Sequence, residues 1–116
     1  MAEIQRTYYN DGNLKTEVFV LNNKKHGEYK EYYENGQLML ITNFIDDMEN
    51  GEFKSYYFDG QLEEIYYCKD GKKNGEYKEY YPSGQLMKIC NYINNYKNGE
   101  YKKYNEDGEL IKQINY

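Results

Sequence analysis

The chain has 116 residues with 15 basic and 20 acidic side chains, and its net charge of −5 disfavours nucleic acid as a ligand, because that affinity is built from Lys and Arg on phosphates. Charged residues make up 30% while tyrosine alone contributes 17, so aromatic rings must supply the burial that scarce aliphatic residues cannot. No run approaches ~18 apolar residues and no basic start precedes an apolar stretch, so neither a membrane helix nor a signal peptide is read and a cytoplasmic protein is expected.

From the N-terminus the first recognisable segment is Ile4 to Leu14, with Tyr8, Tyr9, Gly12 and Leu14. The same pattern then returns every 24 residues: Gly27-Glu-Tyr-Lys-Glu-Tyr-Tyr-Glu-Asn-Gly-Gln-Leu38, again from Gly51 to Leu62, from Gly75 to Leu86 and from Gly99 to Leu110. A fixed period of this length marks one supersecondary unit stacked along an axis. The expectation is a single domain, 1–116, of five units at approximately 3–26, 27–50, 51–74, 75–98 and 99–116.

Each unit reads as a hairpin. Glu28 to Tyr33 consists of charged and aromatic residues of strand character, and Leu38 to Ile45 is an aliphatic-rich run. The glycines Gly12, Gly36, Gly60, Gly84 and Gly108 hold one position in the intervening loop, as a type I turn closed by a positive-φ bulge requires, and Pro82 sits where such a turn accepts proline. Asn50-Gly51, Asn74-Gly75 and Asn98-Gly99, with His26-Gly27, are expected to form tight turns between units. The predicted fold is all-β: an elongated, single-layer antiparallel meander of about ten strands, ~45 Å long at ~4.8 Å per strand and twisted or trough-like.

Alternation sorts the first strand into two faces. One carries acid (Glu28, Glu52, Glu76, Glu100), base (Arg6, Lys30, Lys54, Lys78, Lys102) and ring (Tyr8, Tyr32, Tyr56, Tyr80, Tyr104); the other carries Tyr29, Phe53, Tyr77, Tyr101 and Tyr9, Tyr33, Tyr57, Tyr81, Asn105. The acids stand two residues from the bases, so the basic ridge is expected to be a ladder of weak exposed ion pairs. That weighs against attachment to a membrane surface.

Catalysis finds no support. There is one histidine, and nine of the ten glycines fall in the two loop columns, which leaves no phosphate-binding loop. Cys68 and Cys90 fall on second strands with another strand between them, too far apart for a disulfide, so free thiols are expected. Asp46, Asp47 and Glu49 read as solvated turn residues; neither metal nor cofactor is expected.

With Tyr32-Tyr33 and Gly36-Gln37-Leu38 recurring beside Asn-Gly pairs, the chain resembles the MORN repeat, and more closely the bacterial variant found in antitoxins of toxin–antitoxin systems. It departs from the standard repeat where Tyr29, Phe53, Tyr77 and Tyr101 replace a glycine, which weighs against carrying over lipid binding. The resemblance implies an elongated sheet that works by binding rather than by catalysis. The expected partner is another protein, such as a basic toxin, nuclease or effector, met by Tyr32, Tyr56, Tyr80 and Tyr104 with Lys30, Lys54, Lys78, Glu52 and Glu76. The alternatives are a lipid-binding module or a scaffold assembling through its sheet edges.

Overall fold

A computed structural model describes residues 2–116. Thirteen strands form one antiparallel sheet: β1 (Ala2–Tyr8), β2 (Leu14–Leu21), β3 (Lys24–Tyr32), β4 (Leu38–Ile45), β5 (Met48–Glu49), β6 (Gly51–Tyr56), β7 (Leu62–Lys69), β8 (Lys72–Lys73), β9 (Gly75–Tyr80), β10 (Leu86–Ile93), β11 (Tyr96–Lys97), β12 (Glu100–Tyr104) and β13 (Leu110–Asn115). The spatial order is β1-β2-β3-β4-β6-β7-β9-β10-β12-β13, with the two-residue β5, β8 and β11 continuing β4, β7 and β10 around turns. Extents of 47 × 32 × 14 Å are those of one elongated layer, and the described residues contain no helix. The expected meander of ten principal strands is therefore the observed one.

The loop inside each unit has the predicted chemistry. In the second unit the Gly36 N–H donates to the Tyr33 carbonyl at 3.0 Å, the Tyr33 N–H donates to the Gln37 carbonyl at 2.8 Å, and Gly36 takes φ +87°. Asn35 Oδ1 accepts the Gln37 N–H at 2.9 Å, and Asp11, Asp59 and Ser83 do the same in their loops.

The junction between units differs from expectation. The tight turns lie at Asn22-Asn23, Asp46-Asp47, Asp70-Gly71 and Asn94-Asn95, where both residues have positive φ, as a two-residue type I′ turn demands. Gly27, Gly51, Gly75 and Gly99 are not in these turns. They lie in bulges, with φ between +80° and +118°, where the strand entering the next unit gains two residues: Phe44 pairs with Glu49, but Ile41 pairs with Lys54. Glycine is needed there for its backbone, and at Gly27 also for space, because an added Cβ would lie 3.2 Å from Phe19 Cβ.

Two systems of hydrogen bonds join successive units beyond the strand ladders. On the loop side the hydroxyls of Tyr9, Tyr33, Tyr57 and Tyr81 donate to the backbone carbonyls of Tyr32, Tyr56, Tyr80 and Tyr104 at 2.6, 2.6, 2.5 and 2.9 Å. In the fifth unit the column holds Asn105, whose side chain instead accepts from the Asp107 and Glu109 N–H groups of its own loop. On the turn side Asp47 and Asn95 accept the Lys25 and Lys73 N–H groups at 2.7 Å and return their own to the same residues' carbonyls at 3.0 Å. These links make the array continuous although no layer covers it.

Candidate binding faces

Cross-strand register fixes which side chains share a face. Lys30 pairs with Ile41, Ile41 with Lys54, Lys54 with Ile65, Ile65 with Lys78, Lys78 with Ile89 and Ile89 with Lys102, so bases and isoleucines alternate across one surface. On the same surface Lys30, Lys54, Lys78 and Lys102 reach Glu28, Glu52, Glu76 and Glu100 at 3.1, 3.2, 3.2 and 3.1 Å, and Arg6 reaches Glu17 at 2.8 Å. The expected ladder is present. Hydrogen bonding to Glu28 raises the Lys30 ammonium pKa, and Glu76 and Glu100 do the same for Lys78 and Lys102. The ridge is locally neutral, while the lysine stems lie along the isoleucines.

Tyr32, Tyr56, Tyr80 and Tyr104 stand on this ion-pair face opposite Leu38, Leu62, Leu86 and Leu110, and their rings are half-buried. Their carbonyls serve the tyrosine staples of the preceding unit, but among the described residues no protein group is hydrogen-bonded to their hydroxyls. Shallow grooves of about 280 and 260 Å³ open here one unit apart. Leu62, Ile65, Tyr67 and Tyr80 line the first; Leu86, Ile89, Asn91 and Tyr104 occupy equivalent places in the second. Of the predicted contact residues, Glu52, Glu76, Lys78 and Tyr80 line the first groove and Glu76 and Tyr104 the second, while Tyr32, Tyr56, Lys30 and Lys54 share the face but line neither groove.

The opposite face carries the buried side chains of the described residues: Val18, Val20, Thr42, Ser55, Cys68, Tyr77, Cys90 and Tyr101. Phe53 stacks on Tyr66 with centroids 4.4 Å apart, Tyr66 on Tyr77 at 5.8 Å, and Tyr77 meets Tyr92 edge-on at 5.7 Å. Lysines from the turn-side strands lie over these rings: Lys25 over Tyr29 and Phe44, Lys73 over Tyr66, Tyr77 and Tyr92, and Lys97 over Tyr101 and Tyr116. Sequence reading missed this role, though Lys25, Lys73 and Lys97 share one column of the 24-residue repeat. Glu49 is the exception in that column and accepts a weak bond from Cys68 Sγ at 3.5 Å.

The chemistry of this aromatic face is structural. Burial, then the hydrogen bond to Glu31, pushes the Tyr29 phenol up to about 12, and burial with Glu64 as partner raises Tyr77 further. Burial and the Glu49 charge push the Cys68 thiol up to about 11, and burial raises Cys90 also, so neither is an activated nucleophile. Both thiols are free, as expected. Among the described residues no three His, Cys, Asp or Glu side chains are grouped to hold a metal, and Asp46 and Asp47 serve in turns.

A family model described as "MORN repeat variant" matches residues 4–22, 25–46, 49–70, 73–94 and 97–116. Those segments are the hairpins delimited by the Asx turns. Among solved structures, accessory secretory protein 1, 2 and 3 from Streptococcus pneumoniae is similar over 86% of this chain and 18% of its own, at 14% identity and a TM-score of 0.46. A GtfA/B complex bound to UDP and GlcNAc is similar over 99% of this chain and 24% of its own, at 11% identity and a TM-score of 0.33. The chain thus spans under a quarter of the length of either. No curated protein matches it.

Proposed function

This chain belongs to the MORN repeat variant family, a family of generally non-catalytic repeat modules, and from that premise we propose that it is a protein-binding array, antitoxin-like or inhibitor-like, that neutralises its partner through the ion-pair face. The observation that carries the reading is the division of labour between adjacent tyrosines. Tyr33, Tyr57 and Tyr81 spend their hydroxyls on joining units, whereas Tyr32, Tyr56, Tyr80 and Tyr104 keep half-buried rings on the ion-pair face, Tyr80 and Tyr104 at grooves one unit apart. Rings held at one edge and open at the other give contact area at small entropic cost. The net charge of −5 favours steering toward a basic protein, in keeping with a toxin, nuclease or effector as target. The neutral Lys–Glu ladder supports a protein surface over an anionic membrane as the object of this face.

The test is affinity capture from native-host lysate treated with nuclease, using the parent chain and the Tyr56→Ala/Tyr80→Ala double variant, with melting curves on both. One stoichiometric basic partner, held by the parent and lost by a still-folded variant, is expected. Retention of that partner by the variant, or capture of no protein by the parent, refutes the reading.

A further inference from the structure

Three units build the same triplet on the aromatic face, a lysine ammonium set over two rings from the strands that follow it. Lys25 stands 5.3 Å from the Tyr29 centroid and 4.9 Å from that of Phe44; Lys73 stands 5.2 and 5.3 Å from Tyr77 and Tyr92, and Lys97 stands 5.0 and 5.3 Å from Tyr101 and Tyr116. The third unit departs from the triplet at two of its three places. Glu49 holds the lysine position and Cys68 the second ring position. Phe53, in the first ring position, is the one ring of its column over which, among the described residues, no ammonium lies.

The double change alters shape and charge together. With a thiol where the other units carry a ring, a shallow pocket of about 360 Å³ opens, lined by the rings of Phe44 and Tyr66 with Cys68 and Glu49. Stacking of Phe53 on Tyr66 at 4.4 Å holds that ring wall in place. The Glu49 carboxylate is half-buried, its one side-chain contact is the weak bond from Cys68 Sγ at 3.5 Å, and among the described residues no cation lies within ion-pair distance of it. The nearest bases of the column are held elsewhere: Lys25 over Tyr29 and Phe44, and Lys73, which also lines the pocket, over Tyr66, Tyr77 and Tyr92. Asp47 adds a second carboxylate to the lining, fixed there by accepting the Lys25 N–H at 2.7 Å.

We propose that this pocket binds an arginine side chain of a partner protein. A guanidinium is planar and fits where the other units place a ring; it stacks on aromatic faces, and its fork pairs with a carboxylate through two parallel hydrogen bonds, as Glu49 permits. The occupant supplies from outside the cation that Lys25, Lys73 and Lys97 supply from within. A lysine ammonium would meet Glu49 as a point charge and leave the ring's place unfilled, so arginine is preferred. The site lies at the turn margin of the aromatic face, apart from the grooves of the proposed partner-binding face, and does not depend on that reading.

The probe is the blocked tripeptide acetyl-Gly-Arg-Gly-amide, titrated into the isotope-labelled full chain and followed by backbone amide shifts, beside its lysine and citrulline counterparts. Citrulline keeps the planar shape and loses the charge. Saturable shifts centred on Glu49, Cys68 and Gly71 are expected, with arginine bound more tightly than either counterpart. Glu49→Gln should weaken binding about tenfold. Glu49→Lys and Cys68→Tyr install the residue types that the repeat itself uses in these two columns, so both should fold, and each should abolish binding by supplying the ammonium or the ring internally; melting curves check all three variants. Tyr56→Ala/Tyr80→Ala should leave the tripeptide's affinity unchanged. Parent-like binding by a folded Glu49→Lys or Cys68→Tyr variant overturns the proposal. So do equal binding of the citrulline peptide, shifts spread over the exposed carboxylates without a maximum at Glu49, tighter binding of free arginine than of the tripeptide, or no saturable binding by the parent.

Discussion

Two tyrosines stand side by side in four of the units, and the structure assigns them opposite energetic roles. In the sequence pair Tyr56-Tyr57, the Tyr57 hydroxyl donates at 2.5 Å to the carbonyl of Tyr80, a residue of the next unit, while the Tyr56 hydroxyl has no hydrogen-bond partner among the described residues. Tyr57→Phe removes one hydrogen bond and strands a part-buried carbonyl, which destabilises by about 0.5–1.5 kcal/mol. Tyr56→Phe removes no bond and should change stability by under ~0.5 kcal/mol. The contrast grows when the columns are replaced whole. Phe at Tyr9, Tyr33, Tyr57 and Tyr81 removes four such bonds, and because successive sites lie a unit apart the losses should add to ~2–6 kcal/mol. Set against the ~5–15 kcal/mol typical of a domain, that is enough to separate units that now unfold together. Phe at Tyr32, Tyr56, Tyr80 and Tyr104 should leave the midpoint almost unmoved. Urea unfolding followed by far-UV circular dichroism measures both. Equal destabilisation by the two sets, or none by the first, refutes the staple.

The bulge glycines give a graded series: Gly75→Ala meets open space but retains φ +99° and should lose about 1 kcal/mol, whereas Gly27→Ala adds a contact 3.2 Å from Phe19 and should lose more, as chemical denaturation of the pair would show. Thr42 is 2% exposed and its hydroxyl has no partner among the described groups, so Thr42→Val should raise the unfolding free energy by roughly 1 kcal/mol; a loss of that size would mean that the hydroxyl is satisfied. Lys54→Met breaks one exposed ion pair of the ladder and should shift stability by less than ~1 kcal/mol, with little salt dependence in thermal melts. The folded Cys68 thiol is raised from 9.0 to about 11 and Tyr29 from 10.0 to about 12, so the folded state holds protons that the unfolded chain releases first. Their contribution is whole below pH ~9 and is lost as pH rises toward 11 and 12; stability in that window should fall, and Cys68→Ala should flatten its lower part.

The sequence by itself determined the repeat, the hairpin, the five loop glycines and the single layer, because each rests on local chemistry: positive φ at Gly36, alternation from Glu28 to Tyr33, and a period that cannot bury its apolar face alone. It also placed the Lys–Glu ladder, since residues two apart on a strand must share a face. The inter-unit turns escaped it because Asn50-Gly51 is the stronger local signal, while Asp46-Asp47 forms the actual turn; consecutive Asx or Gly residues at each period were the available clue. Tertiary structure alone decided which of two adjacent tyrosines joins units and which faces a groove, because an acceptor 23 residues away exists only after the next hairpin has docked. It likewise decided that Lys88, Lys103 and Lys112 form one row. They lie on three different strands, and only cross-strand register brings their like charges side by side.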